Sequence, residues 1–281
     1  MKLYTIHAGN FKLDGGAMFG VVPKSMWQKL NPPDQNNMCI WSMQCLLIEM
    51  NKRLILIDTG MGTKQDDKFR SFFYPHGEHS IVSSLKTHGF HPNDITDVIL
   101  SHLHFDHCGG AVEKNNEGNL QLAFPNATYW SNEKHWNWAL KPNERERASF
   151  LIENFELIQK EGRLKFIESN DFMIDEFSFP LAFGHTEAMI TPTIKYKDTA
   201  IIFAADLMPS SFHIPMPYVM AYDVRPLETL KEKKELLNNI VENKYFIFFE
   251  HDPKFEIGNL KFNDSGKIIL DQVGKLSELL G

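Results

Sequence analysis

The chain has little cysteine: Cys39, Cys45 and Cys108 are the only three in 281 residues. That is too few, and an odd number, for a disulfide framework, so reduced thiols in a reducing compartment are expected. Positive charge is also scarce. A net charge of −7 at pH 7 and the lack of any Lys/Arg-rich run leave no basic surface for a phosphate backbone, so nucleic acid is not expected as a partner. No apolar run approaches the roughly 18 residues that span a bilayer, and the opening MKLYTIHAGNFKLDGG lacks the apolar core of a signal peptide. A cytoplasmic protein with no membrane partner is expected. Gly/Ser/Pro-rich linkers and low-complexity stretches are missing too, which favours one domain over residues 1–281. What the chain does have is apolar mass: 43% hydrophobic and 12% aromatic residues suffice for a large α/β core.

Strand-like apolar runs alternate with helical patterns. CLLIEM and RLILIDTG read as neighbouring strands joined by a tight hairpin at Asn51 and Lys52. EHSIVSSLKTHG predicts a helix with Ile81, Val82 and Leu85 on one face and a stop at Gly89. DVIL is a further buried strand. From Asn143 to Gly162, a capping box of Asn143 with Glu146 and near-helical apolar spacing predict the longest helix. Strands follow around FPLAF, AIIFAA and YFIFF, a helix opens at Pro226 and runs through LETLKEKKELLNNIVEN, and a last helix is expected after Asp264.

Polar residues close the apolar strands. LILI ends in Asp58, VILS in His102, LAFG in His185, IIFAA in Asp206 and YFIFFE in His251. Layered α/β folds collect ligand sites at the carboxyl ends of strands, where rigid strands hand over to loops. Ordinary turn chemistry accounts for any one of these endings alone; five together point to one shared site. The densest piece is SHLHFDHCGG. In extended chain, residues two apart project to the same side, so His102 and His104 can grip one ion while Asp106 and His107 turn toward a second. Gly109 and Gly110 then permit a sharp turn. Neutral imidazoles suit a zinc-like ion and a carboxylate such as Asp206 can bridge two, which makes a dinuclear site. The alternative, a set of hydrogen-bonded surface histidines, leaves His-x-His-x-Asp-His unexplained.

At these residues the chain resembles the metallo-β-lactamase superfamily. The matching pieces stand in the family's order: LIDTG at Leu56, SHLHFDHCGG at Ser101, FGHTEA at Phe183, AADL at Ala204 and FEHDP at Phe249. The resemblance implies an α/β fold, a four-layer αβ/βα sandwich of two mixed sheets with helices outside, and two metals at one edge. Carried over by position, it implies that His102, His104 and His185 hold the first metal and that Asp106, His107 and His251 hold the second. Asp206 bridges them, and Asp58 orients a ligand histidine. Two divalent ions per chain are implied. Zinc is the expected ion, with iron, manganese or cobalt compatible because no thiolate enforces a soft metal.

The motif's own variation narrows the branch. Where di-iron oxygen-reducing members resemble one another in carrying glutamate, this chain has His104, which argues against a redox role. No cysteine stands at the Asp206 position, as it does in one class of β-lactamases, and Cys108 is expected to be a small packing residue. RNA-processing members share the string, but the acidic balance argues against them. FKLDGGAMFGVVPKSMW, Phe11 to Trp27, is similar to the N-terminal segment of the branch holding acyl-homoserine lactone lactonases and methyl-parathion-hydrolase-like enzymes. Met18, Phe19, Met26, Trp27, Met38, Trp41 and Met43 form an adaptable apolar set, mostly for packing, of which Phe19 and Trp27 are candidates for the wall of an acyl-tail pocket. Several lactonases carry a tyrosine three residues after the bridging aspartate; here Pro209 stands there, and His213, Tyr218 or Tyr222 are the candidate replacements.

The expected protein is therefore a lactonase, quenching quorum signals by opening the lactone ring with a metal-activated hydroxide while Asp106 carries a proton to the leaving alkoxide. The alternatives are phosphotriester, thioester or β-lactam hydrolysis by the same machinery, and, in a different class, a non-catalytic metal-dependent protein that binds a small ligand. The partner is a small-molecule substrate, and the long helices beside an aromatic N-terminal segment leave room for a homodimer.

Overall fold

The turn read at Asn51 and Lys52 joins two strands, β2 (Met38–Met50) and β3 (Arg53–Ile57), of the computed structural model, which describes residues 1–169, 172 and 174–281. Met50 pairs with Arg53 across a two-residue loop, and φ is positive at both loop residues, 49° at Asn51 and 64° at Lys52. A turn of that hand matches the twist of the strands it connects. Contacts divide the chain into two units. The first comprises Met1–Gly9, Met43–Ile174 and Ala188–Ile190, and the second comprises Asn10–Ser42, Asp175–Glu187 and Thr191–Gly281.

In the first unit β3 lies antiparallel to β2 and parallel to β4 (Asp97–Ile99), which continues in parallel to β5 (Thr128–Ser131) and β6 (Leu164–Phe166). With β1 (Lys2–Asp14) at the edge, the order is β1-β2-β3-β4-β5-β6. Parallel neighbours need crossovers. These contain the helices α1 (Ile81–Thr87), α2 (Phe105–Cys108), α3 (Glu133–Leu140) and α4 (Glu156–Lys160). Leu47, Leu56, Val98 and Tyr129 of the strands share one buried cluster with Leu85, Trp136, Ala139 and Ile158 of the helices. Each large side chain buried there contributes about 1.5–3 kcal/mol. Of the face predicted for α1, Leu85 is fully buried whereas Val82 remains 47% exposed.

The helix expected over Asn143 to Gly162 is broken. Turns follow Asn143, a short 3₁₀ segment spans Ile152–Asn154, and only Glu156–Lys160 is α-helical. Asn143 does accept from the Glu146 amide, at 3.1 Å, as a cap should. A tertiary partner then competes: the Ser149 carbonyl accepts from Phe105 N, so it is not available to continue the helix.

The second unit carries a sheet of order β12-β11-β10-β9-β8-β7, formed by β7 (Phe177–Ser178), β8 (Thr193–Tyr196), β9 (Thr199–Phe203), β10 (Phe246–Phe248), β11 (Ile257–Phe262) and β12 (Ile268–Gly274). Only β9 and β10 pair in parallel, and the crossover between them is the predicted helix α5 (Pro226–Asn243). Leu237 and Ile240 of α5 pack on Ile202, Ile247 and Leu260 of the sheet. The helix expected after Asp264 is instead mostly β12, and only Leu276–Leu280 is helical. Asn263 Oδ1 gathers the amides of Ser265 and Lys267 at 3.0 and 2.9 Å, and Gly266 takes φ of 72°. That turn returns Ile268, Ile269 and Val273 as a strand, the geometry β-branched residues favour. The α/β class with two mixed sheets is as expected. Among the described residues no helix is long and apolar enough to cross a membrane.

Candidate metal centre

In the first unit the site begins where β3 stops. Asp58 is fully buried with φ of 60°, a left-handed conformation that aspartate tolerates. Its Oδ1 accepts from Ser101 N at 2.7 Å, and its Oδ2 accepts from Ser101 Oγ and lies 3.0 Å from His107 Nδ1. His107 is thereby oriented from behind, with Nε2 turned toward Asp106 Oδ2 at 3.8 Å. Thr59 holds the same residue through its backbone, N and Oγ1 both donating to the His107 carbonyl at 2.7 and 2.9 Å.

Three residues beyond the end of β4 the ligand string opens with His102. His102 Nδ1 faces Ser101 Oγ at 3.1 Å, and His102 Nε2 faces His104 Nδ1, also at 3.1 Å. His104 caps α2, whose Asp106, His107 and Cys108 are all buried. The glycines that follow lie in the expected turn, a 3₁₀ segment over Gly109–Ala111, and also serve close approach: φ at Gly109 is an ordinary −59°, but a Cβ there would stand 2.2 Å from the Met61 carbonyl, and one on Gly110 would stand 2.2 Å from that of Thr59. Two residues here were not foreseen. Glu146 Oε1 lies 3.6 Å from His104 Nε2, on the far side of that ring from His102. His135 Nε2 accepts from Leu103 N at 2.8 Å, pinning the amide between the two histidines. Neither carries a spacing signal; only the Asn143–Glu146 pairing was legible, and it reads as a helix cap.

The second unit holds the remaining three. Asp206 sits in a short 3₁₀ turn after β9, with Oδ2 at 3.1 Å from His185 Nε2 and Oδ1 at 3.3 Å from His251 Nε2. One carboxylate thus presents each oxygen to a different imidazole. Behind them, His185 Nδ1 meets Asp223 Oδ1 at 2.9 Å, and His251 Nδ1 donates to the Ser42 carbonyl at 2.7 Å. Asp223, too, was missed by sequence reasoning, because 38 residues separate it from His185. Burial alone would push the His185 pKa down, but the Asp206 and Asp223 carboxylates raise it to about 10, so the two carboxylates favour a cation between them.

The donor set suits a divalent cation. Paired imidazole nitrogens face each other, carboxylate oxygens face imidazoles, and the outward nitrogens of His107, His185 and His251 have carboxylate or carbonyl partners, the arrangement that fixes ligand tautomers. Thiolate is missing from it. Cys108 donates its thiol to the Leu103 carbonyl at 3.3 Å, and burial foremost pushes its pKa up to about 12.

The candidate pocket residues gather in the second unit. Phe19 stacks on Trp27 at 5.2 Å and on His213 at 5.1 Å between centroids, and meets Tyr218 edge-on at 6.0 Å. Phe19 and Trp27 are 0% and 1% exposed, Tyr218 is half-buried and Tyr222 is exposed. His213 uses both ring nitrogens: Nε2 donates to the Met18 carbonyl at 2.9 Å and Nδ1 accepts from Ser210 Oγ at 2.7 Å. Burial pushes its pKa down to about 3, which keeps it neutral. The Pro209 carbonyl accepts from His251 N at 2.9 Å, so that position serves the backbone of a candidate ligand.

Residues 43–251 match the Metallo-beta-lactamase superfamily. An N-acyl homoserine lactonase of Bacillus cereus is 26% identical over 271 residues, covering 92% of this chain and 95% of that one. A probable metal-dependent hydrolase from Staphylococcus aureus superposes with a TM-score of 0.86 at 25% identity, covering 97% and 96% of the two chains. AidC, a dizinc quorum-quenching lactonase solved with its product N-hexanoyl-L-homoserine, superposes with a TM-score of 0.77 at 24% identity, covering 96% and 93%.

Proposed function

This chain belongs to the metallo-β-lactamase superfamily, and from that premise we propose that it is a dinuclear metal-dependent hydrolase that opens N-acyl-homoserine lactones in the cytoplasm. The observation that carries the metal reading is Asp206, whose two oxygens each face an imidazole nitrogen, one of His185 and one of His251. His102, His104 and His185 are assigned to one ion, Asp106, His107 and His251 to the other, and Asp206 to both. Full-length similarity to N-acyl homoserine lactonases supports the substrate. When bound, such ions supply Lewis acidity and a water acidic enough to ionise near neutral pH.

The chain's own residues do the rest. Asp58, Asp223 and the Ser42 carbonyl hold the far nitrogens of His107, His185 and His251 and so decide which nitrogen faces inward. Asp106, 7% exposed beside His107, is placed to take the proton of the attacking oxygen and pass it to the departing alkoxide oxygen. His213 is committed to Met18 and Ser210, which leaves the hydroxyls of Tyr218 and Tyr222 to polarise the lactone carbonyl in place of the phenol missing at Pro209. Phe19 and Trp27 back that wall from inside the core.

Metal-replete protein assayed against acyl-homoserine lactones of graded tail length, a phosphotriester, a thioester and a β-lactam tests the reading. Two ions per chain are expected by elemental analysis. The value of kcat/KM for lactones is expected to rise with tail length, by at most about fourfold per methylene at ~0.8 kcal/mol each, mainly through KM. A phosphotriester or thioester turned over faster than every lactone replaces the lactonase assignment. For Asp106→Asn, turnover of substrates with poor leaving groups is expected to fall by about 10²-fold or more. Equal slowing of substrates with very good leaving groups removes the proton-donor role.

A further inference from the structure

A charge run such as KEKKE in α5 ordinarily faces solvent, yet two of its residues point into the protein. Glu232 Oε1 accepts from Phe183 N at 2.6 Å and its Oε2 accepts from Gly184 N at 3.0 Å. Lys233, only 1% exposed, donates from Nζ to the carbonyls of Pro215, Tyr218 and Met216 at 2.8, 2.9 and 3.4 Å. Neighbours on a helix point about 100° apart. Adjacent residues of opposite charge therefore fasten two different loops, one by its amides and one by its carbonyls.

We infer that Glu232 and Lys233 are positioning residues for His185, Glu232 holding the loop that carries this histidine and Lys233 holding the loop that leads to its carboxylate partner, Asp223. The inference rests on the reading of His185 as a metal ligand. Phe183 and Gly184 immediately precede His185. Gly184 lies so close to α5 that a Cβ on it would meet Thr229 Oγ1 at 2.2 Å, so the loop is seated directly on the helix. Arg225, which caps the helix, completes the seat: its N donates to the Gly184 carbonyl at 2.8 Å, and its Nη1 donates to the Phe183 carbonyl at 2.6 Å. On the other side, the loop gripped by Lys233 runs from Pro215 to Asp223, whose Oδ1 stands 2.9 Å from His185 Nδ1. Three inward carbonyls require three donors. An ammonium is the side chain that supplies them from one atom, while burial pushes the Lys233 pKa down to about 7.

The test uses purified, metal-loaded full chain and needs no substrate. Glu232→Gln keeps size but can accept from only one of the two amides through oxygen; Lys233→Met keeps the stem and removes all three donors. Lys231→Met, on an exposed pair with Glu228, is the control. Amide hydrogen exchange over 183–187 and 215–224, zinc retention against a chelator, and the visible spectrum of cobalt-loaded protein are recorded. Glu232→Gln is expected to speed exchange at 183–187 and Lys233→Met at 215–224. Each should also weaken retention of one zinc per chain on the order of 10-fold, the lower end of the effect of partners that touch a ligand directly, and alter the cobalt spectrum. Retention and spectrum equal to wild type overturn the inference, whether or not the loops exchange faster. If Lys233→Met does not fold, Glu232→Gln decides alone by the same readouts. A wild-type chain that takes up no metal removes the metal-centre reading itself, and the inference with it, whereas a wild type holding two ions beside unaffected variants removes the inference only.

Discussion

The first unit carries its four candidate ligands within six consecutive residues, His102 to His107, whereas the second draws its three from positions 185, 206 and 251. One hand-over from strand to a four-residue helix sets the geometry of the first group. In the second, each ligand hangs on its own loop, and one carboxylate, Asp206, ties two of the loops together. The contrast extends to what stands behind the rings. Asp58 is wired into the strand ends by Ser101 as well as to His107, whereas Asp223 reaches His185 from a loop held on α5. Short spacing along the chain sets the first group and three separate loops set the second, although both lean on partners distant in sequence.

Asp206→Ala breaks that comparison most severely. It removes the only residue assigned to both ions, so both are expected to be lost on dialysis and turnover to drop beyond the ~100-fold typical of outer partners. His104→Ala should cost one ion. Equal metal counts in the two variants, measured by elemental analysis, would show that Asp206 is not shared.

Replacing the outer carboxylates sharpens the contrast. Asp58→Asn turns an amide toward the Ser101 donors, leaving buried groups mismatched at about 1–3 kcal/mol, so thermal stability should fall along with metal retention. Asp223→Asn should weaken retention by roughly 10–100-fold with a smaller change in melting temperature. Matching losses of stability would mean that the carboxylate behind His185 braces the fold as firmly as the one behind His107.

Legibility in the sequence followed the same divide. His102, His104, Asp106 and His107 announce themselves because their spacing is short, and the hairpin at Asn51 and Lys52 and the helix from Pro226 rest on local turn and capping chemistry. Glu146, His135 and Asp223 did not, since each meets its partner through tertiary packing rather than spacing. The two misread helices fail for related reasons. The Ser149 carbonyl is claimed by Phe105, far away in sequence, and the strand after Asn263 is paired with β11 in a register that shifts between Gly258 and Leu260, which no single segment encodes. Phe19 and Trp27 were legible as apolar, but apolarity alone does not separate a pocket wall from the core in which both are buried.

A smaller effect tests the second unit's buried polar core. The His213 pKa lies at about 3, below the ordinary 6.5, chiefly through burial. Between those values the unfolded chain binds a proton that the folded chain refuses. This residue's contribution to stability is therefore intact above pH 6.5 and is lost as pH falls toward 3, at up to about 1.4 kcal/mol per pH unit. Chemical unfolding of metal-free protein between pH 4 and 8 should show that slope in wild type and lack it in His213→Gln, whose amide can still donate to the Met18 carbonyl. Parallel curves for the two proteins would mean that His213 is protonated in the fold.

The smallest effect is expected one residue from a ligand. Cys108 follows His107 on α2 but faces the opposite way, into the apolar cluster of the first unit, and is 0% exposed. Its thiol donates to the Leu103 carbonyl, and with a pKa pushed up to about 12 by burial it offers no thiolate, the only form in which cysteine binds metal strongly. Cys108→Ser keeps a donor for that carbonyl and loses only the sulfur's apolar packing, so a cost of about 1 kcal/mol is expected. Metal content should stay at two ions per chain and kcat/KM should be unchanged. Loss of an ion in the serine variant would place sulfur among the ligands, and the tolerance for iron, manganese or cobalt that follows from an all nitrogen and oxygen donor set would have to be abandoned.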